Sequence, residues 1–530
     1  MMHLNSNARH CGWWQHQPFF RWVMTSCCVL TMLFAHGGPP LAAQVISTDS
    51  TSNFPVLNAL EEATVSTIAT AGQSVVAIAR VPKKQAPSAQ AGALRLGGDF
   101  SFFESPESPD YIPAFFGSGV VLTEDGLLVT CGHVLGDPQR NDYYVWLDKR
   151  SYPAEVVAKP ARVFAFDPFS DLAVLKIDAT GLQPIRVNPS RELRKGQFVV
   201  ALGNPEAVAR DGQASASWGI ISNLRRVAPA VAESNPAASR ETVHQYGTLI
   251  QTDARLSLGT SGGALINLHG EMVGLTTSLV AVEGNADAAG FAIAVDQLFL
   301  RVIESLKLGR LPEYGFLGIQ PEELRIADRR RGFSGAKIVS VLQGLPGEQA
   351  GLQAEDIVFQ INDETITDRN GLFRELAKVG AGESLQMHVQ RPVSRGGTPR
   401  VLVLTAKLGK KFVATHRPGY ALNTPKQWRG MLVEYATAIP AAVLAGGRVG
   451  GQGGGAAARL GVLSVDPGTP AWESGLRPGY GILEVDGQPV NNPDEFYAAV
   501  EGSVGDVSIL VVPATGSSRT LRIADSPPEN

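Results

Sequence analysis

A single serine between glycines, in the stretch GTSGG, could be a nucleophile or only a polar residue in a tight turn. Ser261 lies within LSLGTSGGALINLHGEMVGLTT, where an apolar, strand-like run follows it. Serine and glycine are also the usual residues of turns. A serine acts as a nucleophile when a base within hydrogen-bond reach activates it and an acid orients that base. The remainder of the chain therefore decides between the two interpretations.

Among the nine histidines, His133 is the preferred base. It stands in LLVTCGHVLGD, directly after a strand-like run, where the chain turns and can present a side chain at a sheet edge. His269 lies in the turn NLHGE, where we expect it to be exposed to solvent. His244 precedes a strand in ETVHQYG, with no turn to present it. Both remain rivals of His133, because histidine is the commonest general base.

Three aspartates compete for the role of the orienting acid. Asp167 precedes a proline and is typical of a turn, Asp178 ends a strand, and Asp171 opens the apolar segment DLAVLKI. A carboxylate fixed where a strand enters the core needs partners, and an imidazole N–H is a suitable one. With Asp171, the chain order is histidine, aspartate, serine. That is the order of the chymotrypsin-type triad and differs from those of subtilisin and the α/β-hydrolases.

Length and composition indicate a globular protein of several domains. The 530 residues are too many for one core and predict three or four units, at about 100–200 residues per domain. Hydrophobic residues make up 44% and charged residues 18%, and the net charge of -4 gives no sign of nucleic-acid binding. No Cys/His cluster has metal-ligand spacing, so we expect no metal and no other cofactor.

The N-terminus shows the order of features of a secretory signal. Arg9 and Arg21 precede an apolar stretch, residues 22–35, and the small residues of PPLAAQ follow. The stretch is shorter than the ~20 residues that a membrane-spanning helix needs. We predict a signal peptide over residues 1–43, cleaved near Ala43, and a periplasmic or extracytoplasmic protein. An uncleaved membrane anchor is the alternative.

Cysteine usage fits an exported chain without disulfides. Three of the four cysteines lie in or before the predicted signal, so that Cys131 alone would remain after processing. We interpret Cys131 as a small buried hydrophobic residue.

Short apolar runs broken by turns predict an all-β barrel or sandwich between residues 117 and 300. The run GVVLTEDGLLVT contains a hairpin signal, Asp125-Gly126. Before it, NALEEATVSTIATAGQSVVAIAR predicts a short helix and then a strand. A long loop rich in Pro, Gly and Phe follows over residues 82–113, and a loop of that length is usually functional or disordered.

After Lys307 the chain contains an internal repeat. The copies are AKIVSVLQGLPGEQAGLQAEDIVFQINDETITDRNGLFREL and LGVLSVDPGTPAWESGLRPGYGILEVDGQPVNNPDEFYAAV. Each predicts a strand, a turn, a short helix ending in Ala/Ser-Gly-Leu, a strand, a second turn and a longer helix. In the second copy Asn492, Pro493 and Glu495 are typical of a helix start. Residues 409–426 are interpreted as a linker.

Several segments resemble, in order, the protease domain of the HtrA (high-temperature-requirement) family: GSGVVLTEDGLLVTCGHV, DPFSDLAVLKID, ALGNP, WGIIS and IQTDARLSLGTSGGALINLHGEMVGLTTS. The two repeats are similar to the family's PDZ domains. The resemblance covers about residues 56–524 and implies a mainly β chain. A chymotrypsin-like double β-barrel protease domain (44–309) would precede PDZ domain 1 (310–408) and PDZ domain 2 (427–524), the latter carrying a flexible Gly-rich insertion at 446–455.

The resemblance assigns roles to the candidate residues. It implies that Ser261 attacks the peptide carbonyl, that His133 takes and returns the proton, and that Asp171 orients His133. The backbone N–H groups of Gly259 and Ser261 would form the oxyanion hole, because glycine tolerates the backbone direction that aims an N–H at the developing charge. Thr260 replaces the family's usual Asn or Asp, and EAVARDG replaces a usually glycine-rich regulatory loop.

The two PDZ copies differ at the loop that captures a peptide's C-terminal carboxylate. In the first, YGFLGIQ resembles this loop, and peptide binding is implied for Phe316, Leu317, Gly318 and Ile319. In the second, WRGMLVEY, we expect the glycine to be displaced, and packing or assembly is at least as plausible a role as peptide binding.

The pocket for the residue before the cut is expected to be apolar and small. A trypsin-like enzyme carries an acid six positions before the serine, and here that position is Arg255. The family match places Leu279 at the pocket lining. A branched aliphatic side chain there favours Val, Ile, Ala or Leu before the cut.

The resemblance implies an exported, ATP-independent serine endopeptidase of protein quality control. It would act on unfolded or damaged polypeptides, bind C-terminal peptides at PDZ domain 1, bind no nucleic acid, and form a homo-oligomer, a trimer or a multiple of it. The alternative is a chaperone-like peptide-binding scaffold with an idle or weakly active protease domain.

Overall fold

The computed structural model describes the chain from Phe54 onward with gaps: residues 54–83, 113–147, 157–188, 193–204, 213–227, 242–277, 290–393, 398–413, 419–424, 427–440, 443, 458–513 and 517–525. The predicted signal peptide, the insertion 446–455, the segment EAVARDG and most of the loop 82–113 lie outside these residues. By its contacts the chain divides into residues 1–58 and 59–530. Apart from the first residues of helix α1, the elements below belong to the second unit.

Six antiparallel strands form a first closed barrel. Valine, isoleucine and aromatic residues, which favour extended backbone, supply most of its buried positions. The predicted hairpin at Asp125-Gly126 joins β2 to β3 and is confirmed, with Gly126 at φ 101°. The ring order is β5-β4-β1-β2-β3-β6, and pairing of β5 with β6 closes it. The elements are α1 Pro55–Ala71, β1 Val75–Pro82, β2 Phe115–Val121, β3 Leu127–Cys131, α2 Gly132–Leu135, β4 Asn141–Leu147, β5 Val157–Asp167 and β6 Leu172–Ile177.

The second barrel repeats this arrangement and ends in a helix. Its ring order is β11-β8-β9-β10-β13-β12, closed by pairing of β11 with β12, and β7 adds to β12. Asp296 caps the following helix by accepting a hydrogen bond from the Phe299 N–H at 3.0 Å. The elements are β7 Arg186–Val187, β8 Phe198–Gly203, β9 Ser215–Arg226, β10 Leu249–Thr252, β11 Ala264–Asn267, β12 Glu271–Thr277, β13 Gly290–Ala294 and α3 Gln297–Lys307.

One hydrophobic core continues from the first barrel through the second to α3. It includes Phe166 and Phe169 from the first barrel, Leu202 and Ile293 from the second, and Val302 from the helix. Because residues of both barrels share this core, the barrels form one packed protease domain, and the groups on their facing loops are held at fixed positions.

Each PDZ domain has a six-stranded sheet and its own hydrophobic core. Five strands follow one another across the sheet, and a short sixth strand pairs with the middle one. The short helices α5 and α7 end in glycines with φ of 89° and 84°, Gly351 and Gly475, as expected for left-handed helix ends. PDZ domain 1 contains β14 Gly315–Phe316, β15 Ile319–Glu323, α4 Ile326–Arg330, β16 Ala336–Val341, α5 Pro346–Gln349, β17 Ile357–Ile361, β18 Glu364–Thr365, α6 Arg369–Ala377, β19 Ser384–Arg391 and β20 Arg400–Lys407. PDZ domain 2 contains β23 Met431–Tyr435, β24 Leu460–Val465, α7 Pro470–Glu473, β25 Gly481–Val485, β26 Gln488–Pro489, α8 Pro493–Val500, β27 Val507–Val512 and β28 Arg519–Ile523.

The segment interpreted as a linker forms short strands. β21, Gly409–Lys410, pairs with β14, and β22, Tyr420–Ala421, pairs with β5 of the first barrel. The chain between the two PDZ domains therefore returns to the protease domain and extends its first sheet. Sequence alone did not indicate this, because two-residue strands leave no periodic pattern.

Within the described residues, no helix combines the length and apolar character that a membrane crossing requires.

Candidate active site

The ends of two neighbouring strands bring His133 and Asp171 together. β3 pairs with β6 so that Cys131 lies opposite Leu172, and the one-turn helix α2 starts at the next residue and carries His133. Nδ1 of His133 lies 2.6 Å from Oδ2 of Asp171, and the His133 backbone N–H donates to Oδ1 at 2.8 Å. Asp171 itself has φ 55°, a left-handed backbone that non-glycine residues seldom adopt. Such strain is common at functional sites.

The environment keeps Asp171 ionised and Cys131 protonated. Burial raises the pKa of the Asp171 carboxyl, but the attraction and hydrogen bonds of His133 outweigh it and leave the pKa below its ordinary value. Burial raises the pKa of the Cys131 thiol, which donates a hydrogen bond to the Thr276 carbonyl at 3.4 Å. Ligand atoms of Cys131, His133 and Asp171 lie within 4.8 Å of one another. The contact between Nδ1 and Oδ2 is a hydrogen bond, so these two atoms are engaged with each other.

Ser261 is buried next to the helix that carries His133. Its carbonyl accepts the Ser118 N–H at 2.8 Å, and the neighbouring Gly262 N–H donates to the Thr276 carbonyl at 2.8 Å. A Cβ on Gly117 would lie 2.6 Å from the Val134 side chain and 3.2 Å from the Ser261 carbonyl, so Ser261 and α2 meet across this glycine.

The second ring nitrogen of His133 is available for proton transfer. Nε2 is buried and has no hydrogen-bond partner within the described part of the chain. A hydrogen bond from Ser261 to Nε2 is thus not formed in this arrangement. Catalytic hydrogen bonds often tighten only when substrate binds.

The turn before Ser261 is held in part by Ser118 and Asn204, which the sequence did not single out. Gly259 has φ 95°, and a Cβ there would lie 2.6 Å from the Asn204 carbonyl oxygen, so the position requires glycine. The Gly259 carbonyl accepts from Ser118 Oγ at 2.8 Å, and Ser118 Oγ accepts the Asn204 N–H at 2.7 Å. Thr260 Oγ1 donates to the Ser257 carbonyl at 2.7 Å. The Gly259 N–H meets no acceptor among the described residues.

Comparison with known proteins agrees with this geometry. Residues 117–275 match the family model of a trypsin-like peptidase domain, and residues 315–401 and 461–512 match PDZ domain models. A protein of Chlamydia trachomatis named "Probable periplasmic serine endoprotease DegP-like" is 30% identical over 415 residues, covering 77% of this chain and 74% of that one. The chain belongs to the HtrA family of serine proteases.

Further relatives of this HtrA protease carry similar names. The serine protease HTRA1 of Xenopus laevis is 32% identical over 295 residues, which cover 53% of this chain and 58% of that one. The solved structure of an HtrA-type protease AlgW with a decapeptide aligns with 66% of this chain and 98% of its own, at 25% identity and a TM-score of 0.44. The predicted fold class and serine endopeptidase activity are confirmed. The alternative of an idle scaffold receives no support.

A second histidine of this HtrA protease, His244, lies directly behind Asp171. It is fully buried, Nε2 donates to the Ser170 carbonyl at 3.0 Å, and Nδ1 accepts from Thr248 Oγ1 at 2.7 Å. The Ser170 carbonyl belongs to the peptide unit that leads into Asp171, so His244 fixes the backbone there. His244 was a rival for the role of base, and its pattern gave no sign of this position. His269 is exposed, as expected.

Asp167 holds the other end of the same loop. The predicted turn directly follows Asp167, which ends β5, and the structure also buries this residue. Its carboxylate accepts from Ser170 Oγ at 2.6 Å, from the Ser170 N–H at 3.0 Å, and from the Tyr314 hydroxyl. Burial raises the pKa of Asp167 in spite of these bonds. Tyr314 directly precedes β14, so this contact ties PDZ domain 1 to the loop that carries Asp171.

The buried His244 predicts lower stability in acid. Burial lowers the pKa of His244 below its ordinary 6.5, so below that pH the unfolded chain binds a proton that the folded chain resists. The free energy of unfolding should therefore fall as the pH drops below 6.5. Urea unfolding midpoints at about pH 7.5 and about pH 5.5 measure this, and H244Q, which does not titrate, should show a smaller difference. The exposed His269→Gln is the matched control. An unchanged difference in H244Q would refute the interpretation.

The structure places the four predicted residues of the PDZ domain 1 loop together. Gly318 has φ 75°, and Leu317 is buried. The carbonyls of Leu317 and Gly318 accept the N–H groups of Gly347 and Leu342, at 2.7 and 2.9 Å. The loop lines a cavity whose wall also includes Phe169, Tyr246 and Lys411. The last residue brings a positive charge to the loop.

The expectation of a displaced glycine in PDZ domain 2 is wrong. Gly430 directly precedes β23 with φ 84°, as Gly318 directly precedes β15 with φ 75°. The carbonyls also match, because Gly430 accepts the Asp466 N–H at 2.8 Å and Gly318 accepts the Leu342 N–H at 2.9 Å. The two loops align as FLGI and WRGM. The difference lies one residue earlier, where the side chain of Arg429 is 7% exposed and donates to the Ile523 carbonyl at 2.6 Å.

The structure describes only some of the residues predicted to line the substrate pocket. Leu279 lies outside the described residues. Arg255 is exposed, and its N–H donates to Ser217 Oγ at 2.8 Å. Leu256, which the sequence did not single out, would lie 3.0 Å from a Cβ on Gly290. Leu256 and Gly290 are therefore in close contact beside the turn that leads to Ser261.

Proposed function

We propose that this HtrA protease cleaves unfolded or damaged polypeptides outside the cytoplasm, without ATP, through Ser261, His133 and Asp171. The observation that carries the proposal is the fixed imidazole of His133: Nδ1 is bonded to Asp171, and Nε2 is buried without a partner in the described residues. An imidazole held in this way accepts the proton of a serine hydroxyl when a substrate carbonyl is in place.

The reaction then follows from the roles of these groups. Ser261 Oγ bonds to the carbonyl carbon while its proton passes to Nε2, and Asp171 stabilises the imidazolium that forms. The N–H groups of Gly259 and Ser261 donate to the oxyanion. His133 returns the proton to the leaving amine, and water repeats the sequence on the acyl-enzyme. Ser118 supports this arrangement because its Oγ donates to the Gly259 carbonyl and so fixes the peptide unit between Gly259 and Thr260.

PDZ domain 1 serves as a receptor for free peptide C-termini. The N–H groups of Leu317 and Gly318 donate to no acceptor among the described residues, which suits capture of a carboxylate, and Lys411 lies in the same cavity. We propose that these N–H groups and that of Ile319 bind the carboxylate. Phe316 borders the same loop.

Localisation, assembly and specificity extend the proposal. Relatives named periplasmic and the secretory pattern of residues 1–43 support an extracytoplasmic protein. Family resemblance supports a homo-oligomer, a trimer or a multiple of it. The cationic Arg255 and the apolar Leu256 and Leu279 favour Val, Ile, Ala or Leu before the cut, although each methylene discriminates by only ~1–3 kcal/mol.

A fluorophosphonate probe tests the proposed nucleophile directly. Such a probe phosphonylates a serine only where a base activates it, so we expect labelling of the purified full-length chain at Ser261 and nowhere else. Mass-spectrometric mapping identifies the labelled peptide. Ser261→Ala should lose the label, and Ser66→Ala, which removes an exposed serine on α1, should retain it. Labelling at another serine, or none in a preparation that degrades casein, would refute the assignment.

A further inference from the structure

Both PDZ domains present an open strand edge to which a peptide can add. β15 and β23 each lie at the end of their sheet. A peptide that adds to such an edge bonds to the N–H and C=O groups of alternate residues, because the residues between them bond to the neighbouring strand of the sheet. We call the pair of groups that one residue presents to the open edge its edge rung.

The edge rungs of PDZ domain 1 are counted from Ile319, directly after the loop glycine. The second edge rung, two residues further along β15, belongs to Pro321. This residue lies opposite Ile338 of β16. Ile338 uses both of its polar groups on the other side, where its N–H donates to the Asp356 carbonyl and its carbonyl accepts the Glu355 N–H, each at 2.8 Å. The polar groups of Pro321 therefore face the open edge. Proline has no N–H, so this rung offers an acceptor and no donor.

In PDZ domain 2 the same rung is occupied. Val433 lies opposite Val462, whose N–H donates to the Tyr480 carbonyl and whose carbonyl accepts the Gly479 N–H, each at 2.8 Å. The Val433 N–H therefore faces the open edge, and there it donates to the hydroxyl of Tyr497 on α8 at 3.1 Å. Val433 and Pro321 both stand three residues after the loop glycine. Neither domain offers a free N–H at this rung.

The register identifies the peptide group that is affected. A carboxylate held by the N–H groups up to Ile319 places the last peptide residue opposite Ile319. The penultimate residue then lies opposite Gln320, and the third from the end lies opposite Pro321. The carbonyl of that third residue is the group that a second-rung N–H would bind, and in PDZ domain 1 it finds no donor.

We propose that PDZ domain 1 leaves the third-last carbonyl of its ligands without a hydrogen bond, so that binding depends mainly on the carboxylate and the last residue, and that Pro321 sets this limit. The proposal rests on the carboxylate capture proposed above. Its ligands are polypeptides with a free C-terminus and an apolar last residue, because the cavity at the loop is lined mainly by apolar side chains. Such a receptor suits a protease that meets many different chain ends.

Peptides with one altered backbone group test the proposal. Binding is measured by isothermal titration to full-length protein carrying Ser261→Ala, which prevents cleavage. An apolar C-terminal hexapeptide is compared with the same peptide in which an ester replaces the amide between the third-last and penultimate residues. The ester weakens the third-last carbonyl as an acceptor, and the N–H that it removes faces away from β15. A C-terminally amidated peptide is the third ligand.

The expected pattern separates this proposal from carboxylate capture itself. With Pro321 present, the amide and ester peptides should bind equally. Pro321→Val restores an N–H and should tighten the amide peptide about 3- to 10-fold, the range for one net hydrogen bond, and the ester should then lose that gain. Pro321→Ala should behave in the same way and covers the case in which valine disturbs folding.

Two results would overturn the inference. The first is weaker binding of the ester by protein that retains Pro321, because a donor would then exist at this rung. The second is no gain in either proline variant for a peptide that binds through its carboxylate. Equal binding of the amidated peptide would instead refute carboxylate capture, and the inference would fail with it.

Discussion

Replacement of Ser261 by alanine is expected to lower the rate of peptide hydrolysis about 10⁶-fold. Without Oγ no acyl-enzyme forms, and His133 has no nucleophile to deprotonate, so the remaining rate comes from substrate binding and the oxyanion hole alone. Hydrolysis of an unfolded casein substrate by purified protein measures the loss. A single-turnover assay at high enzyme concentration extends its range.

The folded structure should survive this change. The hydrogen bonds that place Ser261 join its carbonyl to the Ser118 N–H and the Gly262 N–H to Thr276, and alanine retains these backbone groups. The melting temperature of Ser261→Ala should therefore match that of the unchanged protein. Casein cleavage within tenfold of the unchanged protein, in a variant with this melting temperature, would show that another residue is the nucleophile.

The sequence predicted those parts of the fold that depend on local pattern. Alternating apolar runs indicated the barrel strands, Asp125-Gly126 a hairpin, and the repeated Gly-Leu helix ends two copies of one domain. The docking of β22 on β5 could not be predicted, because a two-residue strand has no period and its pairing depends on the position of the whole domain.

At the candidate active site, the sequence selected the residues proposed for the chemistry but not the residues that hold them in place. Chain order and turn position selected His133, Asp171 and Ser261 because nucleophile, base and acid have distinctive residue types. Ser118 and His244 hold the Gly259 carbonyl and the Ser170 carbonyl, which are backbone groups distant in sequence. A side chain that bonds to a distant backbone group leaves no motif, so only the folded structure reveals it.

At the PDZ loops the sequence motifs led to a wrong alignment of the two domains. The short motif WRGMLVEY suggested that the loop glycine is displaced, whereas the φ of Gly430 and the contact of its carbonyl place it in the same position as Gly318. The corrected register also places Val433 level with Pro321. The equivalence of the two second edge rungs therefore follows from the hydrogen bonds of the two loops and not from their sequence motifs.

Asp171→Asn is expected to reduce kcat about 10⁴-fold, with KM almost unchanged. The carboxylate has two acceptors: Oδ1 takes the His133 backbone N–H, and Oδ2 takes Nδ1. A backbone N–H can only donate, so the single oxygen of asparagine must face it. The amide NH₂ then faces Nδ1 and donates to it, which leaves the ring proton on Nε2.

An imidazole with its proton on Nε2 cannot accept the proton of Ser261, so the chemical step fails while substrate binding persists. The kcat and KM of a fluorogenic peptide measure this separation. Asp178→Asn changes an exposed aspartate at the end of β6 and is the matched control, for which no loss is expected. An Asp171→Asn variant that keeps its melting temperature and loses less than tenfold in kcat would show that the proton of His133 is not directed by Asp171. The 2.6 Å contact between them would then be structural only.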